Sequence, residues 1–213
     1  MTNTIDSLYD SIADALVEKG YFYTQTCLQG LPTFSLQERI VQLDAEDALK
    51  RAGIGRDNDH HINQNVRQDN IRWLQSKQQA EAEYLLWMEN LRVGINQRLF
   101  MGLFDYECHF AHYPEGAFYK QHLDAFQGRT NRVLTTVYYL NDTWIPDQGG
   151  ELILYAENGQ TILETVLPET GTLLIFLSDR FPHEVLPTKR DRYSIAGWYR
   201  VNNSLNAQID PAN

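Results

Sequence analysis

Cysteine is nearly absent: only Cys27 and Cys108 occur among 213 residues. Two thiols so far apart make neither a disulfide framework nor a cysteine-rich zinc module, and Cys108 reads as a reduced core residue. Positive charge is scarce as well. Eighteen Lys and Arg stand against 28 Asp and Glu, a formal net charge of -10. No basic run offers the footprint that a nucleic-acid backbone or an anionic membrane surface requires. No apolar stretch is long enough to span a bilayer. The first twenty residues, MTNTIDSLYDSIADALVEKG, carry acids throughout and lack the apolar core of a secretory signal, so a soluble, cytoplasmic protein is expected. Neither an internal repeat nor a linker interrupts the chain. It reads as one domain over residues 1–213, with helical support and a loop in 1–104, a strand-rich core in 105–200 and a tail in 201–213.

The first half has helical periodicity. Ile5, Leu8, Ile12, Ala15 and Leu16 recur on one face, and Gly20 stands where a C-terminal cap belongs. YFYTQTCL, from Tyr21, reads as a short strand. SLQE at 35–38 has the form of a capping box and predicts a second helix running to near Gly53. Ser76 and Gln79 repeat that form ahead of a third helix, whose buried stripe is expected to be Ala80, Tyr84, Trp87, Met88, Leu91, Ile95 and Leu99. Between them, residues 52–72 are polar and without period, which fits either a disordered segment or a lid over a site.

From Asp105 onward the character changes. Eight short segments rich in β-branched and aromatic residues follow one another, several separated by turns such as DQGG, ENGQ and PETG. Close-spaced strands of this kind predict a sandwich or jelly roll. RVLTTVYYL at 132–140 is apolar on both alternating faces, with Val133, Val137 and Tyr139 on one and Leu134, Tyr138 and Leu140 on the other, so both must be covered. The N-terminal helices are the available cover. The fold expected is therefore α+β, a jelly roll (double-stranded β-helix) with those helices on the outer face of its major sheet.

Within YKQHLDAF, His122 and Asp124 lie two apart, so on a strand they would share a face. Six His and 28 acids supply about one such pair by chance, so the pair alone carries little weight. His183, in SDRFPHEV, adds a second imidazole from a different strand. Two imidazoles and a carboxylate make the facial triad of non-haem Fe(II) oxygenases, which leaves metal positions open to a cosubstrate and oxygen. Nine residues on, Arg192 offers a guanidinium fork suited to a carboxylate. A buried Arg needs an anionic partner, and a bound anion would supply it. His109 and His112, three apart on a strand, face opposite ways and suit packing better than one metal.

The run HYPEGAFYKQHLDAF, RVLTTVYYLNDTW, GGELILY and GTLLIFLSDRFPHEVLPTKRDRYSIAGWYR resembles the catalytic domain of 2-oxoglutarate- and Fe(II)-dependent prolyl 4-hydroxylases, nearest to the oxygen-sensing prolyl hydroxylase group and its bacterial relatives. The likeness spans roughly residues 105 to 200, and ahead of them it is carried by RQDNIRW at 67–73. It implies Fe(II) held by His122, Asp124 and His183, and the distal carboxylate of 2-oxoglutarate held by Arg192 and the Tyr139 hydroxyl. It also implies Tyr113 beside metal and cosubstrate, with Val137, Leu152, Val185 and Ala196 as apolar walls. O2 would be consumed, succinate and CO2 released, and ascorbate used as a reductant. Arg132, Tyr119 and Trp198 would line the substrate side, with Arg67 in a loop that closes on a bound peptide. Arg132 also reads as a solvent-exposed strand-end charge and Trp198 as sandwich core. The implied activity is hydroxylation of a prolyl residue in an exposed loop of an intracellular protein, a translation elongation factor being one candidate, by a monomeric enzyme with no nucleic-acid or membrane partner. Two alternatives stay open: the same chemistry on a free amino acid or other small molecule, and a jelly-roll sensor that binds metal and 2-oxoglutarate without turnover.

Overall fold

Alternating apolar residues on strands that must be covered on both sides organise the molecule. The computed structural model describes residues 5–25, 28–52, 65–125 and 131–202, so Cys27, His60, His61, most of the expected lid and nearly all of the tail fall outside the described residues. In chain order its elements are α1 (Ile5–Glu18), β1 (Tyr21–Thr24), α2 (Thr33–Ala45), β2 (Lys50–Arg51), β3 (Asn70–Trp73), α3 (Gln79–Leu99), β4 (Leu103–Tyr113), β5 (Tyr119–His122), β6 (Arg132–Tyr139), β7 (Leu152–Tyr155), β8 (Ile162–Val166), β9 (Leu173–Leu177), β10 (His183–Val185) and β11 (Arg192–Val201). Seven strands form one sheet in the order β1-β9-β6-β11-β4-β3-β2, and four form a second in the order β5-β10-β7-β8. All named strand pairs are antiparallel. This is the expected α+β jelly roll.

The two faces of the larger sheet have different partners. Leu134 and Tyr138 of β6, Phe110 of β4, Ile195 and Tyr199 of β11 and Ile175 of β9 pack on Ile12 and Leu16 of α1, Leu36 and Ile40 of α2, and Tyr84, Met88 and Leu91 of α3. Each such side chain contributes about 1.5–3 kcal/mol by leaving water, less the entropy of ordering it. The opposite face carries Val137, Tyr139, Leu174 and Phe176, which meet Leu152 and Leu154 of β7 and Val166 of β8 across the interior. Val133, expected on this inner face, packs instead toward the helices.

The helix boundaries depart from the sequence pattern. Neither Ser35 nor Ser76 caps: α2 begins at Thr33 after Pro32, α3 begins at Gln79 after Gln78, and no side-chain cap forms at either. Leu36 is fully buried against the sheet, and Thr33 Oγ1 hydrogen-bonds the Tyr138 hydroxyl at 2.5 Å, so docking rather than the local box sets that helix start. α2 ends at Ala45, and the chain then enters β2 rather than remaining helical to Gly53. Glu81 in the first turn of α3 is fully buried. It accepts from Arg39, Arg72 and the Gln75 amide, tying α2, β3 and α3 together. In α1 the buried face is Tyr9, Ile12, Ala13 and Leu16, which leaves Ile5 exposed. Gly20 does end that helix with φ +81°, and an added Cβ would stand 2.9 Å from the Phe181 ring.

Residues 65–72, the described end of the segment expected as loop, stitch the two sheets. Arg67 bridges Tyr119, and Gln68 N–H donates to Phe118 O, which continues the β5 edge of the smaller sheet. The chain then passes directly into β3, paired with β4 of the larger sheet. Period-2 reasoning overlooked β3 because Asn70 and Arg72 are polar on its helix-facing side.

Candidate active site

The antiparallel pairing of β10 with β5 sets His183 opposite His122. Asp124 lies two residues further on, in a bend beyond the end of β5, so the shared-strand argument for the pair does not hold. Proximity survives because the bend turns Asp124 back over the strand end: Asp124 Oδ1 is 3.6 Å from His122 Nε2, and Oδ2 is 3.5 Å from His183 Nε2. One ligand atom from each of the three lies within 4.8 Å of the others.

Each side chain is aimed by a second contact. His122 Nδ1 is 2.8 Å from Lys120 O, and His183 Nδ1 is 3.2 Å from Phe181 O. A carbonyl takes an N–H, so both Nε2 atoms keep their lone pairs toward the centre, the tautomer a metal needs. Thr135 Oγ1 donates to Asp124 Oδ2 at 2.8 Å. Burial alone would raise the Asp124 pKa, but His183 and His122 outweigh it and hold the carboxyl well below its usual range. Burial lowers the His183 pKa to about 4, which keeps that imidazole neutral near pH 7. The cluster is therefore two imidazole nitrogens and a carboxylate, a donor set of the kind a divalent ion takes.

Deeper in the barrel, Arg192 is 1% exposed and has no carboxylate partner among the described residues. Its Nε donates to Gly150 O at 2.8 Å and its Nη1 reaches Ser194 Oγ at 3.4 Å, while the guanidinium lies 4.9 Å from the Tyr113 ring centre and 5.0 Å from that of Tyr139. Arg192 Nη2 and the Tyr139 hydroxyl are both buried without a hydrogen-bond partner among the described residues. Burial pushes the Tyr139 phenol up to about 12, so it remains a donor. Orphaned buried donors of this kind cost about 1–3 kcal/mol each unless a ligand satisfies them. A small carboxylate matches both.

The expected walls come together around these groups. Val137 and Leu152 belong to the Tyr139 cluster. Val185 packs with Tyr113, Ala111 and Ala117. Ala196 faces Val137 across one strand pair and His109 across the other. Toward the metal mouth, the Tyr119 ring stacks on His122 at 3.6 Å, and Arg67 lies over Tyr119 while paired through two hydrogen bonds with Asp69. Trp198 is buried beneath Arg132, whose guanidinium stands 3.6 Å from the ring centre and pairs with Glu107. Arg132 is thus neither free nor a bare strand-end charge. Trp198 is on the inner face, where its ring meets those of His109 and half-exposed Trp73, which also contact each other. His109 and His112 do face opposite ways, as the spacing required.

Four participants escaped the sequence reading. Thr135 shares the parity of Val137 and Tyr139 and was legible from period 2 alone. Gly150 contributes a carbonyl, and Asp69 and Glu107 pair with arginines, none of which carries a local signal.

Comparison with known proteins agrees with this geometry. A family model described as the 2OG-Fe(II) oxygenase superfamily matches residues 108–200. Prolyl hydroxylase EGLN3 of Mus musculus is 30% identical over 202 residues, covering 88% of this chain and 81% of that protein. A crystal structure of a Pseudomonas putida prolyl-4-hydroxylase superposes with a TM-score of 0.82 at 38% identity, covering 91% of this chain and 99% of the other. The chain belongs to the 2-oxoglutarate/Fe(II)-dependent prolyl hydroxylase family. A prolyl hydroxylase from Trichoplax adhaerens, solved with a hypoxia inducible factor peptide fragment, superposes with a TM-score of 0.75 at 27% identity, covering 92% and 90% of the two chains. This chain is accordingly a 2-oxoglutarate-dependent dioxygenase, of a superfamily that works with Fe(II), 2-oxoglutarate and O2.

Proposed function

We propose that this dioxygenase hydroxylates a prolyl residue at its 4-position, in an exposed loop of an intracellular protein, and releases succinate and CO2. A translation elongation factor is one candidate substrate. In this reading His122, Asp124 and His183 hold Fe(II), and Arg192 and Tyr139 hold the distal carboxylate of 2-oxoglutarate. The observation that carries it is the coexistence, inside one barrel, of a three-ligand cluster and two buried donors, on Arg192 and Tyr139, without a hydrogen-bond partner among the described residues. Tyr113, Val137, Leu152, Val185 and Ala196 line the space between them and exclude water. When bound, the iron couples decarboxylation of 2-oxoglutarate to oxidation of a C–H bond. The residues of the chain supply the rest. Lys120 O and Phe181 O fix the two ring tautomers, Thr135 holds the Asp124 carboxylate in one orientation, and Arg192 sets the depth to which the cosubstrate enters.

The substrate side is read from aromatic surface. Tyr119 stacked on His122, with Arg67 over its ring, and Trp198 beneath Arg132 are the groups read as bordering the bound prolyl residue. With Fe(II), 2-oxoglutarate, O2 and cell extract, the protein is expected to form succinate, and the His122→Ala variant none above background. Tryptic digests of a strain lacking the protein should contain a proline peptide lighter by one oxygen atom than in the parent. Differences confined to small metabolites would overturn the protein substrate, and succinate formation that survives His122→Ala would overturn the metal assignment.

A further inference from the structure

The strand pair that delivers Arg192 is gripped from behind. Arg192 of β11 lies opposite Tyr113 of β4, and Tyr193 opposite His112. On the inner face this places Arg192 beside the Tyr113 ring. On the outer face, under α2, the His112 and Tyr193 rings stack at 4.7 Å with 28° between their planes. His112 is 5% exposed, and both its nitrogens face carboxylates. Nε2 is 2.8 Å from Asp191 Oδ1, on the residue immediately before Arg192. Nδ1 is 2.7 Å from Asp44 Oδ1 on the last turn of α2, a close approach outside hydrogen-bond geometry. The Tyr193 hydroxyl closes the ring of contacts by donating to Asp44 Oδ2 at 3.0 Å.

Residues 191 and 193 are therefore both tied to His112, while residue 192 projects into the barrel between them. A guanidinium that must meet two carboxylate oxygens at fixed geometry loses much of its grip if its Cα can rock. From the front, the hydrogen bonds that hold Arg192 among the described residues are those to the Gly150 carbonyl and the distant Ser194 hydroxyl, with the Tyr113 and Tyr139 rings alongside. We propose that His112, with Asp44 and Asp191, is the positioning residue for Arg192, and so sets how strongly this enzyme prefers a cosubstrate bearing a distal carboxylate. The inference rests on Arg192 being the anchor for 2-oxoglutarate.

The test compares 2-oxoglutarate with 2-oxovalerate, which replaces the distal carboxylate with a methyl group and keeps the metal-chelating end. Binding of each to the Mn(II)-loaded, full-length protein is measured by calorimetry without oxygen. His112→Ala is expected to narrow the wild-type preference for 2-oxoglutarate by about tenfold, the scale of a lost supporting contact. Asp191→Ala, made on a largely exposed side chain that threatens folding less, should do the same in the same direction. His112→Gln, which can still donate to Asp191, should recover part of the preference. In turnover, KM for 2-oxoglutarate should rise by a similar factor while kcat at saturation changes by less than about twofold. Equal weakening of both ligands, or an unchanged preference in both alanine variants, would overturn the positioning role. A wild-type protein that does not distinguish the two ligands would instead overturn Arg192 as the anchor.

Discussion

At His109, burial acts first against the charged imidazole and the nearby Arg67 guanidinium adds to it, so its pKa falls to about 4. An unfolded histidine titrates near 6.5. Between those two values the unfolded chain binds a proton that the folded one refuses, so stability falls as pH drops through that window and levels off below it. At most about 3 kcal/mol is at stake. The metal-free protein should lose urea resistance between pH 7 and pH 4.5, and His109→Met should lose measurably less. Equal losses in the two proteins would place the titration elsewhere. Other residues differ in how far sequence discloses them. Arg192 was legible because a buried guanidinium without an acid demands an anion. Arg132 was not, because its acid, Glu107, sits 25 residues away on another strand.

Among the elements, the strands were easier to read than the helices. All eight strands expected after Asp105 are present, since alternation and turn residues act over a few positions. Helix starts were misread because Ser35 and Ser76 satisfy a local motif that docking against the sheet overrides. The short β2 and β3 were missed because their pairing partners lie far off in sequence. Where α1 crosses α3, Gly94 permits a close approach: an added Cβ would stand 2.4 Å from Tyr9 Cδ2. A Gly→Ala change inside a helix ordinarily gains about 1 kcal/mol. Here overpacking should win, with Gly94→Ala losing about 1–3 kcal/mol in chemical denaturation. In a Tyr9→Ala background the same change should become neutral or stabilising, and a loss that persists there would exclude the ring as its cause.

Across the whole molecule, two neighbouring strands of the smaller sheet and the bend beyond β5 bring together one set of donors suited to a bound ion. Ligands that bind the folded state alone stabilise it by mass action, about 2.7 kcal/mol at a hundredfold excess over Kd. Mn(II) should therefore raise the melting temperature of the wild-type protein, a chelator should return it, and His122→Ala should be indifferent to both. A shift retained by that variant would put the ion elsewhere. The site as a whole was legible only once His183 and Arg192 were set beside the His122 pair, because His122, Tyr139, His183 and Arg192 come from four strands and Asp124 from a bend.

The run from Arg67 to Trp73 belongs to both sheets in succession. Its Gln68 amide is held by the smaller sheet, and the Leu74 amide just beyond it is held by Cys108 of the larger one. A chain that serves as hem to two fabrics ties their fraying together. Hydrogen exchange at Gln68 and Leu74 should then occur in one shared opening event, with one free energy, although the two amides face different sheets.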